Sequence, residues 1–203
     1  MDIDQEMRRW SQTLYGLVHA LHVARSVKLG NLGTLIESLS DAEDWEASDP
    51  GFESCVPTLR FKEDSIRLDG RDHEEIFASL STNLLRALFI NLAVLADEWV
   101  GECIRGLGTE PPNFLTGKAE WVKKRIASPQ TWAACGLLEM CAIRNALVHN
   151  NGVLNQSCID ILRLAGTESA RPGHEIRISV GDLFRYRRAL RTVVGELRKM
   201  GRS

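Results

Sequence analysis

Arg144 and His149 are the two side chains of this sequence whose types and spacing best suit chemistry on a phosphodiester. Arginine carries a permanently charged, forked guanidinium that binds phosphate oxygens, and the imidazole of histidine moves protons near neutral pH. Such a pair could cleave RNA without a metal. His149 would deprotonate the 2′-hydroxyl or protonate the 5′-leaving oxygen, while Arg144 stabilises charge on the phosphate. Because one imidazole cannot easily be acid and base in the same step, a second copy from a dimer partner would help.

Asn145 stands beside this pair and, four residues before His149, shares a helix face with it. We therefore expect its amide to orient the imidazole or a ligand oxygen. Arg144 and His149 are about 140° apart on an ideal helix, although a long guanidinium near a helix end can reach round it. The alternative is a purely structural helix end, where both cations interact favourably with the helix dipole by roughly 0.3–1 kcal/mol each.

Two apolar helices are predicted to position the motif. Residues 72–107 repeat leucines at helical spacing, and their second half is apolar nearly all round, which indicates a central, buried helix. The motif ends a second helix, predicted over 129–149, with Ser128 as its N-cap and Pro129 in its first turn. The predicted exit turn consists of Asn150, Asn151 and Gly152.

The rest of the chain is predicted to be mainly helical, with a small β-hairpin or short-strand appendage. Apolar spacing predicts further helices over 4–39, 117–127, 155–165 and 182–200, the last capped by Asp182. An acidic loop is expected at 41–55, a hairpin around 59–68, and a strand through Ile176, Ile178 and Val180. We predict a single domain, 1–203, with its core at about 72–200; residues 1–70 would form the N-terminal helix, the loop and the hairpin.

The motif and its surroundings resemble one known family. The run Arg144-Asn145-Ala146-Leu147-Val148-His149-Asn150-Asn151-Gly152 is similar to the R-N-x-x-x-H signature of HEPN domains, in which the histidine closes a helix and a polar-glycine turn often follows. The likeness covers roughly residues 75–165, and residues 1–70 have no counterpart in it. It implies a bundle of four or five helices that pairs with a second copy, so that two R-x4-H motifs face each other.

The resemblance also implies a function and further site residues. Many HEPN domains are metal-independent ribonucleases of toxin–antitoxin, anti-phage or RNA-processing systems, and others are binding modules without activity. Active members often carry an acidic or polar residue on the preceding long helix, and of Asp97, Glu98 and Glu102 we choose Glu98. The leading hypothesis is a homodimeric endoribonuclease that leaves a 2′,3′-cyclic phosphate. The alternative is a non-catalytic module that binds RNA, a nucleotide or a nucleotidyltransferase antitoxin.

Charge is distributed unevenly along the chain although the net charge is only −2. Residues 1–110 contain 20 acidic and 10 basic residues, whereas residues 111–203 contain 7 acidic and 15 basic ones. The basic half could attract an RNA backbone, or its charges could simply be solvated. Besides the motif, the residues that we predict to contact RNA are Lys123, Lys124, Asn150, Arg185 and Arg188.

Other functional classes lack their signatures. The sequence has no phosphate-binding glycine loop, no nucleophile elbow and no zincin motif, so we expect no cofactor. His19 and His22 have ligand-like spacing but no apparent third partner, so we assign no metal site. The five cysteines lack C-x-x-C spacing and are expected to be idle thiols. We predict no membrane span and no signal peptide, and hence a cytoplasmic protein.

Overall fold

The computed structural model describes residues 3–26 and 73–201. Contacts between residues divide the chain into two compact units, one formed by residues 1–15 with 80–203 and the other by residues 16–79. The first unit contains the motif helix and most of the predicted core. The predicted acidic loop at 41–55, the hairpin at 59–68 and the end of the predicted first helix lie outside the described residues.

The described part of the chain is mainly helical, which confirms the predicted class. Its six helices are α1 (Ile3–Ser26), α2 (His73–Gly106), α3 (Leu115–Lys123), α4 (Thr131–His149), α5 (Gln156–Leu164) and α6 (Val180–Met200). Within these residues the β structure amounts to one isolated antiparallel bridge between Val153 and Glu175.

The motif helix α4 is the centre of the first unit, and it packs against α3, α5 and α6. Its core positions Leu137, Leu138 and Met140 are fully buried. Burying such a side chain contributes roughly 1.5–3 kcal/mol relative to leaving it in water. The long helix α2 adds Leu92 and Trp99, also fully buried. Helix α2 buries only one face, however: Val94 is 44% exposed, so the predicted burial of this helix nearly all round is wrong.

The first turns of α1 join this unit through polar contacts around a small apolar face. Trp99 Nε1 donates a hydrogen bond of 2.7 Å to the Glu6 carboxylate, and Arg187 Nε donates one of 2.7 Å to Ser11 Oγ. Trp10 and Leu14 are buried beside them. Trp99 belongs to α2 and Arg187 to α6, so these two bonds connect the first turns of α1 to both of these helices.

The predicted strand at Ile176–Val180 is wrong. In place of a strand, the chain runs in irregular extended form to Ser179, whose hydroxyl accepts a hydrogen bond from the Asp182 backbone N–H and so caps α6. Asp182 is thus inside the first turn, where its carboxylate completes a capping box, and not the cap that we predicted. The alternating pattern arose because Ile178 is buried on the way into the helix.

Two other predicted boundaries shift. Gln130 is the N-cap of α4, so Ser128 and Pro129 precede the helix, in a turn closed by the bond from Gln130 N to Ala127 O. Helix α3 covers Leu115–Lys123 and not 117–127. After Lys123 the backbone N–H groups of Arg125 and Ile126 both donate to Val122 O, and this turn ends the helix.

The contact between α4 and α6 allows a test of this packing. A Cβ added at Gly136 would lie 2.9 Å from the Cβ of Ala189, closer than carbon atoms normally approach. Ala189 has no side-chain torsion that could relieve the contact, so Gly136→Ala should lower the free energy of unfolding by about 1–3 kcal/mol through overpacking. Urea denaturation measures this loss.

The matched background is Ala189→Gly, which removes the opposing methyl group. There the same Gly136→Ala change should stabilise the protein, because alanine is favoured over glycine inside a helix by roughly 1 kcal/mol. An equal effect of Gly136→Ala in both backgrounds would contradict the close approach of α4 and α6.

Candidate functional site

The motif helix stops immediately after its histidine. Asn150 is the C-cap, and the next two residues adopt positive φ angles, 52° at Asn151 and 82° at Gly152. The backbone N–H groups of Asn150 and Gly152 both donate to Ala146 O, at 3.0 and 2.9 Å. The bond from Gly152 N to Ala146 O reaches back six residues, one residue further than the bond that defines a Schellman stop, and two successive residues of this turn have positive φ. The predicted Asn-Asn-Gly exit turn is therefore confirmed.

This stop is held from outside by Arg86 of α2. A Cβ at Gly152 would lie 3.1 Å from Arg86 Nη2, so the guanidinium lies directly against the turn. The same nitrogen is 3.4 Å from Ile176 O and from Glu175 Oε1. Ile176 N in turn donates to Gly152 O at 2.7 Å. The turn after His149 is thus connected both to the long helix and to the segment that leads into α6.

A cavity of about 740 Å³ opens beside the end of α4. It brings together the predicted residues Glu98, Arg144, Asn145, His149 and Asn150. Its remaining walls come from α2, from residues 113–117 and from the beginning of α5. The volume falls within the roughly 300–1,000 Å³ typical of ligand sites. Residues that are distant in sequence therefore meet around one solvent-accessible space.

Asn145 contacts Arg144 and not His149. Arg144 Nη1 lies 3.3 Å from Asn145 Oδ1, to which it donates a hydrogen bond. Among the hydrogen bonds of the described side chains, none joins Asn145 to the imidazole. The expectation that Asn145 orients His149 is corrected accordingly: the amide oxygen accepts from the guanidinium, so Asn145 positions Arg144. His149 itself is exposed at the helix end.

Two neighbouring carboxylates of α2 line the cavity, but only one is engaged by a cation. Lys118 Nζ lies 2.7 Å from Asp97 Oδ1 and 3.0 Å from Asp97 O, and the lysine is only 8% exposed. Within the described part of the chain, no ion pair or hydrogen bond engages the carboxylate of Glu98, which is exposed. Glu98 is therefore the carboxylate available to a ligand.

Several residues of this site were not predicted from the sequence. Lys118 of α3 is buried because its side chain reaches α2, where Nζ binds Asp97 and lies against Gly101. Asn113, Phe114, Thr116 and Ser157 also line the cavity. For Asn113, Phe114 and Thr116 the local signal is the turn at Pro111-Pro112, which predicts a bend in the chain but not its contact with the cavity.

Four of the basic residues predicted to contact RNA do not line the cavity. Arg185 is paired with Glu139 at 2.6 Å, Arg188 lies over the ring of Trp132 at 5.6 Å, and Lys123 donates to Leu164 O. Lys124 is exposed at the end of α3. Any contact that these four make with RNA would involve a surface outside the cavity.

Two cysteines, Cys141 and Cys158, line the cavity, and Cys141 is chemically quiet. Burial raises the pKa of the Cys141 thiol to about 12, outweighing the hydrogen bond with Thr116 that lowers it. The thiol therefore stays protonated near neutral pH, and the protonated form is a poor nucleophile. The cysteines in the described residues, Cys103, Cys135, Cys141 and Cys158, are all free. Cys55 lies outside the described residues, and the idleness of the thiols stays a prediction.

Neither a metal-binding cluster nor a membrane-spanning helix is found within residues 3–26 and 73–201. No group of three His, Cys, Asp or Glu side chains there is arranged to hold a metal ion. None of the helices in the same ranges combines the length and apolarity needed to cross a bilayer.

No family model, no curated protein and no solved structure matches this chain. The likeness to HEPN domains therefore rests on the motif residues and their helical context alone.

The ion pair between Lys118 and Asp97 gives a testable consequence. Lys118→Met leaves Asp97 unpaired, and we expect unfolding free energy to fall by about 1–3 kcal/mol, below the roughly 3–5 kcal/mol of a fully buried stranded charge. The smaller figure follows because the Asp97 side chain is 38% exposed and can be rehydrated. Thermal and urea unfolding measure the change. Arg163→Met, which breaks an exposed pair with Asp160, is the control and should change little.

Replacing the glycine of the exit turn should both destabilise the protein and disturb the site. Gly152→Ala places a side chain at φ 82° and against Arg86, which should cost about 1–2 kcal/mol for the left-handed backbone plus the strain of the contact. Gly166→Ala is the matched control, since Gly166 has φ 86° with no atom near its Cβ position.

The two variants should differ at the imidazole. Gly152→Ala should shift the His149 ring resonances in NMR spectra, whereas Gly166→Ala should leave them unchanged. Equal destabilisation by both variants, with His149 undisturbed in each, would mean that Arg86 does not brace the turn.

Proposed function

We propose that this chain is a metal-independent endoribonuclease of the HEPN type, with Arg144 and His149 as its catalytic residues. The observation that carries the proposal is their convergence with Glu98 on one open cavity at the end of a buried helix. A purely structural helix end would explain Arg144 and His149, but it would not explain why the unpaired carboxylate of Glu98 lines the same cavity.

The proposed reaction is an internal transfer. The 2′-oxygen attacks the adjacent phosphorus and the bond to the 5′-oxygen breaks, giving a 2′,3′-cyclic phosphate and a 5′-hydroxyl. One group must accept the 2′-proton and another must donate a proton to the leaving oxygen. Arg144, positioned by Asn145, would stabilise the charge on the non-bridging oxygens.

Two groups are available for the two proton transfers. His149 is one of them, and Glu98 of the same subunit or His149 of a partner subunit is the other. Pairing of two subunits at this end of α4 is part of the proposal. It is supported by the exposure of His149 and of its neighbour Val148, an apolar residue.

Attraction of the RNA backbone is proposed for a face of α6 and α1. Arg187, Arg188 and Arg191 of α6 and Arg8 of α1 surround two adjoining depressions on this face. No ion pair with an acidic side chain is found for these four among the described residues. The face includes the predicted Arg188, whereas Arg185 is occupied by Glu139. Arginine binds phosphate oxygens through its forked donors.

The test compares wild-type protein with three variants on a mixed pool of transfer RNA and structured RNA in EDTA. His149→Ala should reduce cleavage by roughly 100- to 10,000-fold, and Arg144→Ala by roughly 100- to 1,000-fold. His174→Ala is the control, because His174 is exposed and lies outside the cavity. Sequencing of the cut ends should reveal 2′,3′-cyclic phosphates.

Equal cleavage by wild type and His149→Ala would refute the mechanism. If no RNA is cut, the non-catalytic module, binding RNA, a nucleotide or a nucleotidyltransferase partner, becomes the better description. Growth of cells separates the two further: an active ribonuclease should slow growth on expression, with relief by Arg144→Ala or His149→Ala, whereas a binding module should be tolerated in every form.

A further inference from the structure

Phe114 is exposed beside the proposed catalytic residues. Its side chain is 77% exposed, more than any other large apolar residue in the described part of the chain. It also lines the cavity that contains Arg144 and His149. A single exposed apolar residue needs no explanation by itself. Phe114, however, lines the same cavity as Arg144, the proposed phosphate-binding residue, and this position calls for an explanation.

The backbone that carries this ring is firmly held. Phe114 is the N-cap of α3, with extended φ and ψ of −117° and 149°, and its carbonyl accepts a hydrogen bond of 3.1 Å from Lys118 N. The preceding turn packs closely onto α3: a Cβ at Gly117 would lie 2.9 Å from the Cβ of Pro112. The ring is therefore presented to solvent from a turn that packs against the first turn of α3.

The cavity offers two kinds of surface to a ligand. Ala93, Val94 and Ile161 contribute apolar wall, and Arg144 and His149 contribute to the polar wall. A ligand that uses both would have a flat, weakly polar part and an anionic part. A nucleotide has these two parts, and each base can stack on an aromatic ring whatever its sequence.

We propose that Phe114 is a stacking platform for an unpaired base adjacent to the phosphate held by Arg144. This inference rests on the proposed ribonuclease function and deepens it by naming the substrate class. A base can stack on Phe114 only when it has left its helical stack, so the substrate is single-stranded RNA or the loop of a folded RNA. Phe114 is then a specificity-determining residue, and the chemical step belongs to Arg144 and His149.

The experiment measures stacking separately from cleavage. Full-length His149→Ala protein is titrated into short single-stranded oligoribonucleotides that carry 2-aminopurine at successive positions, because stacking quenches the fluorescence of this base. We expect quenching at one or two positions. In the double variant with Phe114→Ala, quenching should disappear and binding should weaken roughly 5- to 100-fold. Phe114→Trp in the same background should retain both.

The control for loss of an exposed apolar side chain is Leu164→Ala. Leu164 is 47% exposed and does not line the cavity, so this change should leave quenching and affinity unaltered. A second readout uses His149-containing protein and one RNA sequence placed either in a loop or in a duplex stem. Wild type should cut the loop in preference to the stem, and Phe114→Ala should reduce cutting of the loop.

The outcomes separate this inference from the proposed function. Cleavage by wild type with unchanged binding and quenching in the Phe114→Ala variant would overturn the stacking role and leave the ribonuclease. Quenching that depends on Phe114, without cleavage of any RNA by wild type, would overturn catalysis and leave a base-binding site. If Phe114→Ala instead dissociates a dimer in sedimentation experiments while quenching persists, Phe114 is a subunit contact and the inference is wrong.

Discussion

The left-handed turn after His149 is the constraint on which the arrangement of the site depends. A helix continuing past this residue would carry the chain away from α5 and α6, whose positions both depend on the turn. Gly152 makes the stop by adopting a positive φ and donating to Ala146 O. Its carbonyl accepts from Ile176, and Leu154 exchanges backbone bonds with the 173–174 segment. One backbone reversal thus ends the motif helix and anchors the segment that leads into α6.

The two carboxylates that line the cavity differ in their pairing: Asp97 is bound by the buried Lys118, and Glu98 is exposed and unpaired among the described residues. Asp97 and Glu98 are neighbours on α2, and both line the cavity. Lys118 neutralises Asp97 from within the protein, where its ammonium makes two short bonds to that residue. Without it, two adjacent carboxylates would oppose the approach of a phosphate. The buried lysine therefore stabilises the fold and also leaves a single carboxylate, Glu98, opposite Arg144 and His149.

The sequence was informative about the long helices and about the turn after His149, but it placed the caps of α4 and α6 at the wrong residues. Leucine spacing predicted α2, and the Asn-Asn-Gly run predicted the stop after His149, because glycine and asparagine are the residues that accept positive φ. Alternation of apolar residues led to a wrong prediction before α6, where Ile178 is buried but no strand forms. The burial of Lys118 and the exposure of Phe114 beside the cavity could not be foreseen, because they follow from the contact of Lys118 with α2 and of the 111–114 turn with α3. Such contacts join segments that no sequence window contains.

The composition of the cavity bears on the need for a second subunit. With Arg144 and His149 alone, one imidazole would have to be both acid and base, and a partner's histidine would be required. Glu98 changes this reasoning, because a carboxylate in the same cavity supplies a second proton-transfer group within one subunit. Chemistry therefore permits a complete site in a monomer, and the proposed dimer rests on the family likeness and on the exposed end of α4. A change at Glu98 would affect a monomeric site severely and a two-histidine site only mildly.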